Sequence, residues 1–278
     1  MTNELMTNEN NLWLSLAKQL VSNHQQLGRP FIQGILGGQG TGKTTMCNTL
    51  CAILKQLGYR TLSLSLDDLY KTYDQRLALK QKQPRLVWRG PPGTHDVELG
   101  LTILQQIRQR KSPVAVPRFD KSLHAGAGDR TTPEIVENVD IVLFEGWFVG
   151  VRPIEPTAFD TAPPPIITDE DKAFARQMNS KLSDYLPLWE QLDNLILLYP
   201  KDYRLSLEWR KQAERQMIAA GKSGMSEKEV EQFVNYFWCS LHPELFINLL
   251  VKSPTFVDLV IEVNSDHSFD AVYRPKDI

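Results

Sequence analysis

One short run constrains this chain more than any other. "GGQGTGKTT" comprises Gly37, Gly38, Gln39, Gly40, Thr41, Gly42, Lys43, Thr44 and Thr45, and it fits G-x-x-x-x-G-K-[ST]. It follows "PFIQGIL", which reads as a buried strand, and opens a helical stretch over 43–57 that stops at Gly58. Strand, glycine loop and helix in that order form the context in which backbone N–H groups curl round phosphates, helped by the positive end of the helix. Lys43 is expected to reach the β- and γ-phosphates, and the Thr44 hydroxyl to hold Mg²⁺. The whole run is therefore read as a nucleoside triphosphate site, with ATP and magnesium as the expected cofactors.

Such a loop needs a parallel sheet behind it, and the remaining apolar runs supply one. "YRTLSLSL", "VAV" at 114–116, "DIVLFEG" at 140–146, "NLILLYP" at 194–200 and "DLVIEV" at 258–263 read as strands. Helical stretches fill most gaps: Leu12, Leu16, Leu20 and Val21 recur at helical spacing, Asp96 is placed to cap a helix reaching Arg108, and Ser226 with Glu229 forms a capping box. Alternating strands and helices with near-continuously apolar strands imply an α/β fold. The expectation is a single domain over 1–278 with a mostly parallel five-stranded sheet flanked by helices. Residues 1–10, where "MTNE" occurs twice, are read as a frayed tail. The Pro-rich 152–170 is read as an exposed insertion.

Composition narrows the partners. A net charge of -2 gives no support to a general nucleic-acid binder. No basic leader with an apolar run opens the chain, and no apolar stretch has the length of a membrane span. The three cysteines, Cys47, Cys51 and Cys239, show no metal spacing. Cys47 and Cys51 share a helix face and are expected to pack there. A sparse, odd set of thiols suits a reducing, cytoplasmic setting. A small-molecule substrate is the partner expected.

Ligands of open parallel sheets lie beyond the carboxyl ends of the strands. Asp67 and Asp68 end the second strand, Asp120 follows the third and Glu145 ends the fourth. A phosphoryl acceptor needs a carboxylate to orient its hydroxyl and take the proton. Asp67 is favoured for that role. Asp68 competes, and one of the pair is expected to cap the segment that follows. Glu145 stands where a Walker-B acid would. With Thr44, and with Asp67 alongside, it is a magnesium-ligand candidate.

"SLSLDDLY" (63–70), "RGPPGTHD" (89–96), "PRFDKSLHAGAGDR" (117–130) and "VLFEGW" (142–147), in this order behind a phosphate loop, resemble the plant and cyanobacterial D-glycerate kinase family. That family is related to the uridine, pantothenate and phosphoribulose kinases. The resemblance implies a P-loop kinase fold with a lid, D-glycerate as substrate, and a place in photorespiratory salvage. It implies transfer of the γ-phosphoryl to the 3-hydroxyl; another small acceptor, or a regulatory protein that binds nucleotide without chemistry, remains open. A small hydroxy acid bound beside ATP needs cations. Arg89, Arg118, Lys121 and Arg130 are available, with His95 as a donor and Asp120 for acceptor hydroxyls. In "KDYRLSLEWRKQAER", Arg204 and Arg210 match lid arginines by resemblance, and Arg215 is a further candidate. Glu208 and Glu214 offer ion-pair partners on the same helix.

Overall fold

The computed structural model describes residues 2–221 and 224–275, with the backbone alone for 2–10. The chain opens with α1 (Thr2–Leu27) and β1 (Phe31–Gly37), then α2 (Lys43–Gln56) and β2 (Thr61–Ser65). After α3 (Tyr73–Lys82) and α4 (Val97–Arg108) come four short strands: β3 (Val114–Val116), β4 (Phe119–Asp120), β5 (Asp129–Arg130) and β6 (Glu134–Val136). β7 (Ile141–Gly146) is followed by α5 (Asp169–Lys181), α6 (Leu186–Trp189) and β8 (Asn194–Tyr199). The chain continues through α7 (Leu205–Ala219), α8 (Glu227–Ser240), α9 (Pro243–Leu250), β9 (Leu259–Val263) and β10 (Phe269–Tyr273).

Among the described residues the main sheet runs β10-β9-β8-β1-β7-β2. Its first five strands in chain order are parallel, and β10 pairs antiparallel with β9 at one edge. The sheet is thus one strand wider than the five expected. β10 alternates half-buried and exposed residues, so it lacks the continuous apolar run that marks the others. "VAV" is not part of this sheet. It pairs antiparallel with β6 as a separate ribbon, which moves Asp120 off any parallel strand end.

The two faces are covered by separate apolar layers. On one face Trp13, Leu16 and Leu20 of α1 and Leu50 and Leu54 of α2 meet Ile35, Leu143 and Leu198 of the sheet. On the other, Leu104, Met178, Trp189 and Phe246, one from each of four helices, cover Leu36, Phe144 and Leu197. Each such side chain contributes roughly 1.5–3 kcal/mol on burial. Cys47 packs fully buried in the first layer, as its helical spacing with Cys51 implied, and burial pushes its thiol up to about 12. The Pro-rich 152–170 is less exposed than expected, because Phe159 and Ile166 turn into the second layer. α1 reaches back to Thr2 through the stretch read as a tail, which contains neither Gly nor Pro to stop it; Met1 lies outside the described residues.

Several sequence-level stops and caps are realised. Gly58 takes φ 87° just past α2. Asp96 accepts from the Leu99 amide at the start of α4, and Ser226 and Glu229 close their capping box. At the amino ends of the strands, Asp193 takes Arg29 at 2.6 Å, Arg108 at 3.1 Å and the Ile32 amide at 2.9 Å. Its side chain is 8% exposed. Asp193→Ala should therefore lower unfolding stability by about 2–4 kcal/mol, because two guanidinium groups and an amide lose their acceptor. Urea unfolding measures this; an unchanged midpoint would rule out Asp193 as the clamp.

Candidate active site

Register places the site. Glu145 of β7 lies opposite Ile35 of β1 on one side and Ser65 of β2 on the other. The three strands end together, so the phosphate loop, Glu145 and Asp67 leave the sheet from one edge. Gly42 caps α2 at φ 87°, and Lys43 opens the helix. The Lys43 ammonium donates to the Gly38 carbonyl at 2.8 Å and spans the loop. Thr41 Oγ1 donates to the same carbonyl at 2.9 Å. Thr44 Oγ1 stands 3.5 Å from Glu145 Oε1, a hydroxyl and a carboxylate sharing one corner. Gly40 is required at φ 80° and by a close approach: a Cβ there would meet Trp209 of α7 at 2.7 Å.

The two aspartates after β2 separate cleanly. Asp68 accepts from the Ser65 amide at 3.0 Å and from Arg118 Nη1 at 2.8 Å, so it caps the turn that β2 enters. Asp67 Oδ2 instead meets Lys121 Nζ at 2.6 Å. Burial pushes the Asp67 carboxyl up. The Lys121 ammonium, a hydrogen bond from Tyr70 and the nearby His95 outweigh burial and hold it below its ordinary value. Lys43 is pulled down by burial, against the attraction of Glu145 and Asp67, while Lys121 pushes the same way as burial. Lys43 therefore lies in the field of Glu145, Asp67 and Lys121, and the last two are in direct contact.

The polar loop at 117–130 folds as the β4–β5 hairpin, with Asp120 paired to Asp129. Gly128 is obligatory there, since a Cβ would strike the Phe119 ring at 2.4 Å. Most of its charges hold the hairpin down. Arg118 donates to Glu134 at 2.6 and 2.8 Å, to Asp68 and to the Ser63 carbonyl. Arg130 joins the Tyr70 carbonyl at 2.8 Å and Asp96 at 3.0 Å. Arg89 donates to the Gly126 and Ala127 carbonyls and lies 5.5 Å from the Phe119 ring centre. Asp120 turns back on Ser122, whose hydroxyl and amide hold its carboxyl low. So Asp67, Lys43, Glu145 and Lys121 converge, whereas Arg118, Arg130, Arg89 and Asp120 serve the loop in this conformation. His95 is buried behind Tyr70, its ring 4.6 Å from the tyrosine's, with Tyr185 at its far side. Tyr70 ends "SLSLDDLY", where its neighbours Asp67 and Asp68 carry the stronger signal. Tyr185 lies in "KLSDYLPLW", where nothing in the sequence signals a site.

α7 rises directly from the end of β8 and rests on the phosphate loop through Trp209. That indole donates to the Ser265 carbonyl at 2.9 Å and stacks on His267. Arg204 is largely exposed and pairs with Asp202 at 3.0 Å. Arg210 pairs with Glu214 at 2.5 Å, one of the helical partners the sequence offered, and lies over Phe233. Arg215 Nε donates to the Lys211 carbonyl. None of the three reaches Lys43 in this conformation. A cavity of about 340 Å³ opens beside Gly37, Gly38 and Gln39, walled by Trp147, Phe148, Phe237 and Trp238, with Arg204 at its lining.

The chain is similar to known kinases. Over 219 residues the chain is 32% identical to the "uncharacterized kinase mug58" of Schizosaccharomyces pombe, covering 76% of this chain and 79% of that one. It is 31% identical over 219 residues to the chloroplastic D-glycerate 3-kinase of Arabidopsis thaliana. That match covers 75% of this chain and 46% of the plant protein, so the chain spans just under half of its length. The solved D-glycerate 3-kinase of Cryptococcus neoformans superposes with a TM-score of 0.81 at 27% identity, covering 96% of this chain and 99% of that one. No protein-family model matches the chain.

The Gly40 contact makes a direct test of the loop. Gly40→Val should weaken binding of a nucleoside triphosphate by at least about 10-fold, through both the positive φ and the collision with Trp209. Calorimetric titration of the folded variant measures it. Wild-type affinity would show that Trp209 does not set the loop.

Proposed function

The chain belongs to the D-glycerate 3-kinase family of P-loop kinases, and we propose that it transfers the γ-phosphoryl of ATP to the 3-hydroxyl of D-glycerate. The observation that carries this reading is the meeting of Lys43, Glu145, Asp67 and Lys121 at the common strand edge. A phosphate-binding lysine, an acid beside a hydroxyl, a second acid and an exchangeable cation are the parts that phosphoryl transfer to an anionic alcohol requires.

The loop amides from Gly38 to Thr44, with Lys43, hold the β- and γ-phosphates. Lys43 must leave the Gly38 carbonyl to do so. Thr44 and Glu145 offer hard oxygen donors 3.5 Å apart, a set that suits Mg²⁺. Among the described residues no cluster of three or more His, Cys, Asp or Glu could hold a metal unaided, which fits a cation shared with the nucleotide's phosphates. Bound there, magnesium would neutralise charge on the transferring group.

Asp67 takes the proton of the attacked hydroxyl as its oxygen adds to the γ-phosphorus in line and ADP departs. Lys121 is free to exchange, because its side chain is 63% exposed and sits on a glycine-bearing hairpin. When the substrate carboxylate or the γ-phosphate draws Lys121 away, burial dominates at Asp67 and its basicity rises. Arg204, at the exposed start of α7, is placed to close over the phosphates; Arg210 would first have to leave Glu214.

Three measurements test this. ATP turnover should depend on D-glycerate and magnesium, with 3-phosphoglycerate identified by phosphorus NMR; no glycerate-dependent turnover would refute the assignment. Asp67→Asn should cut kcat by about 10²–10⁴ with ATP binding little changed. Lys121→Met removes the charge that holds the Asp67 carboxyl down. The acid limb of kcat/KM should then move to higher pH than in the wild type, the sign being set by burial. An unmoved or lowered limb would exclude the Lys121–Asp67 coupling.

A further inference from the structure

Among the cations on and around the hairpin, Arg89 is the one with a whole edge unoccupied. It donates through Nη1 alone, to the Gly126 carbonyl at 2.7 Å and the Ala127 carbonyl at 3.0 Å. Its Nε and Nη2 have no hydrogen-bond partner among the described residues, and, unlike Nε of Arg108 and Arg210, they are not sealed from solvent. Those two nitrogens form one edge of the planar guanidinium, the edge that takes a carboxylate side-on. Arg118 shows that edge in use: its Nε and Nη2 hold Glu134 at 2.8 and 2.6 Å. In Arg130 the same two nitrogens are taken by the Tyr70 carbonyl and Asp96.

A second guanidinium stands beside it. Arg76 of α3 donates to the Lys71, Ala127 and Gly128 carbonyls, so both arginines meet the Ala127 oxygen. Both also lie over the Phe119 ring, at 5.1 and 5.5 Å from its centre. The ion pairs of the hairpin belong to Arg118, Lys121, His124 and Arg130, and neither Arg76 nor Arg89 forms one among the described residues. Two like charges held against one ring and one carbonyl, without a counter-ion, favour an anion beside them. Their position follows from the hairpin register. Phe119 pairs with Arg130 and Asp120 with Asp129, so one further step sets Gly128 across from Lys121, the residue that reaches Asp67 at 2.6 Å. Arg89 also lies over Tyr70, whose amide donates to the Asp67 carbonyl at 3.3 Å. Both guanidinium groups therefore rest on the strand across from Lys121, and a three-carbon hydroxy acid is long enough to bridge one strand spacing of about 5 Å. All their hydrogen bonds go to carbonyls at 71 and 126–128, none to the phosphate loop.

We infer that Arg89 binds the carboxylate of the acceptor through Nε and Nη2, with the charge of Arg76 alongside, an assignment that rests on the glycerate reading and deepens it. With Asp67 on the attacked hydroxyl, the acid end of the molecule meets Arg89, and Lys121 is left for the γ-phosphate. The backbone grips the guanidinium by its Nη1 corner, so the open edge is oriented before substrate arrives. Arg89 is then the residue that tells D-glycerate from its neutral amide. The amide offers one carbonyl oxygen and an NH₂ group, which would face the guanidinium donor to donor.

Steady-state kinetics of the whole protein with D-glycerate and D-glyceramide test this. The wild type should favour the acid by about 10² or more in kcat/KM. Arg89→Met keeps an apolar stem against Phe119 and removes the charge; the preference should fall below about 10-fold. Arg89→Lys keeps the charge and loses the edge. It should raise KM for D-glycerate at least about 10-fold, with KM for ATP unchanged. Arg76→Met should lower the same preference by a smaller factor. An Arg89 that only holds the hairpin would slow both acceptors alike, so an unchanged preference in the Arg89 variants overturns the inference. Should Arg89→Met fail to bind ATP in calorimetric titration, Arg89→Lys carries the comparison. A wild type that does not phosphorylate D-glycerate overturns the glycerate reading and this assignment together, whereas turnover with an unmoved preference removes the assignment alone.

Discussion

Phosphoryl transfer here depends on three parallel strands that end in register. Backbone N–H groups grip phosphates only where a loop leaves the sheet at the mouth of a helix. An acid can help only if its own strand stops at the same level. The pairing of Glu145 with both Ile35 and Ser65 enforces this. A shift of one residue in β2 would exchange the faces of its side chains and carry Asp67, in the turn just beyond it, out of line with Glu145. The apolar layers on both faces hold that register, so the core serves the chemistry by fixing the heights of strand ends.

On this frame, charge is divided between scaffold and function according to side-chain type. Arg118 and Arg130 each bind an acid and a backbone carbonyl, and in doing so pin the β4–β5 hairpin to the end of β2 and the cap of α4. A guanidinium with a fixed fork of donors suits that task, because it satisfies several fixed acceptors at once. Lys121 on the same hairpin makes a single contact with Asp67 from a largely exposed position. A compact ammonium on a flexible stem can be handed from a resident carboxylate to an incoming anion. The hairpin is thus held firmly at its base, while Lys121 keeps a single, largely exposed contact.

The sequence showed the frame better than the pocket. Local signals survive folding intact: the phosphate loop with its flanking strand and helix, the Asp96 cap, the Ser226 box and the stop at Gly58 are all set by neighbours in the chain. "VAV" went to the wrong sheet because a three-residue apolar run is equally consistent with a parallel strand or an antiparallel ribbon, and only its partner at 134–136 decides. β10 was invisible because an edge strand with one solvated face carries a weak pattern. Arg118 read as a substrate ligand, since residue type cannot reveal that Glu134 and Asp68 already claim it. The tyrosine behind His95 comes from a segment 90 residues away with no motif of its own.

That distance points to a division between the two kinds of group in the pocket. The charged groups Lys43, Asp67, Glu145 and Lys121 come from strand ends, the phosphate loop and the hairpin. Tyr185, which meets His95 Nδ1 at 2.8 Å, comes from the helical layer beneath, rooted among Phe148 and Trp189 in close aromatic contact. The aromatic layer under the site is therefore more than filling, since it holds the His95 ring between Tyr70 and Tyr185 and keeps it dry.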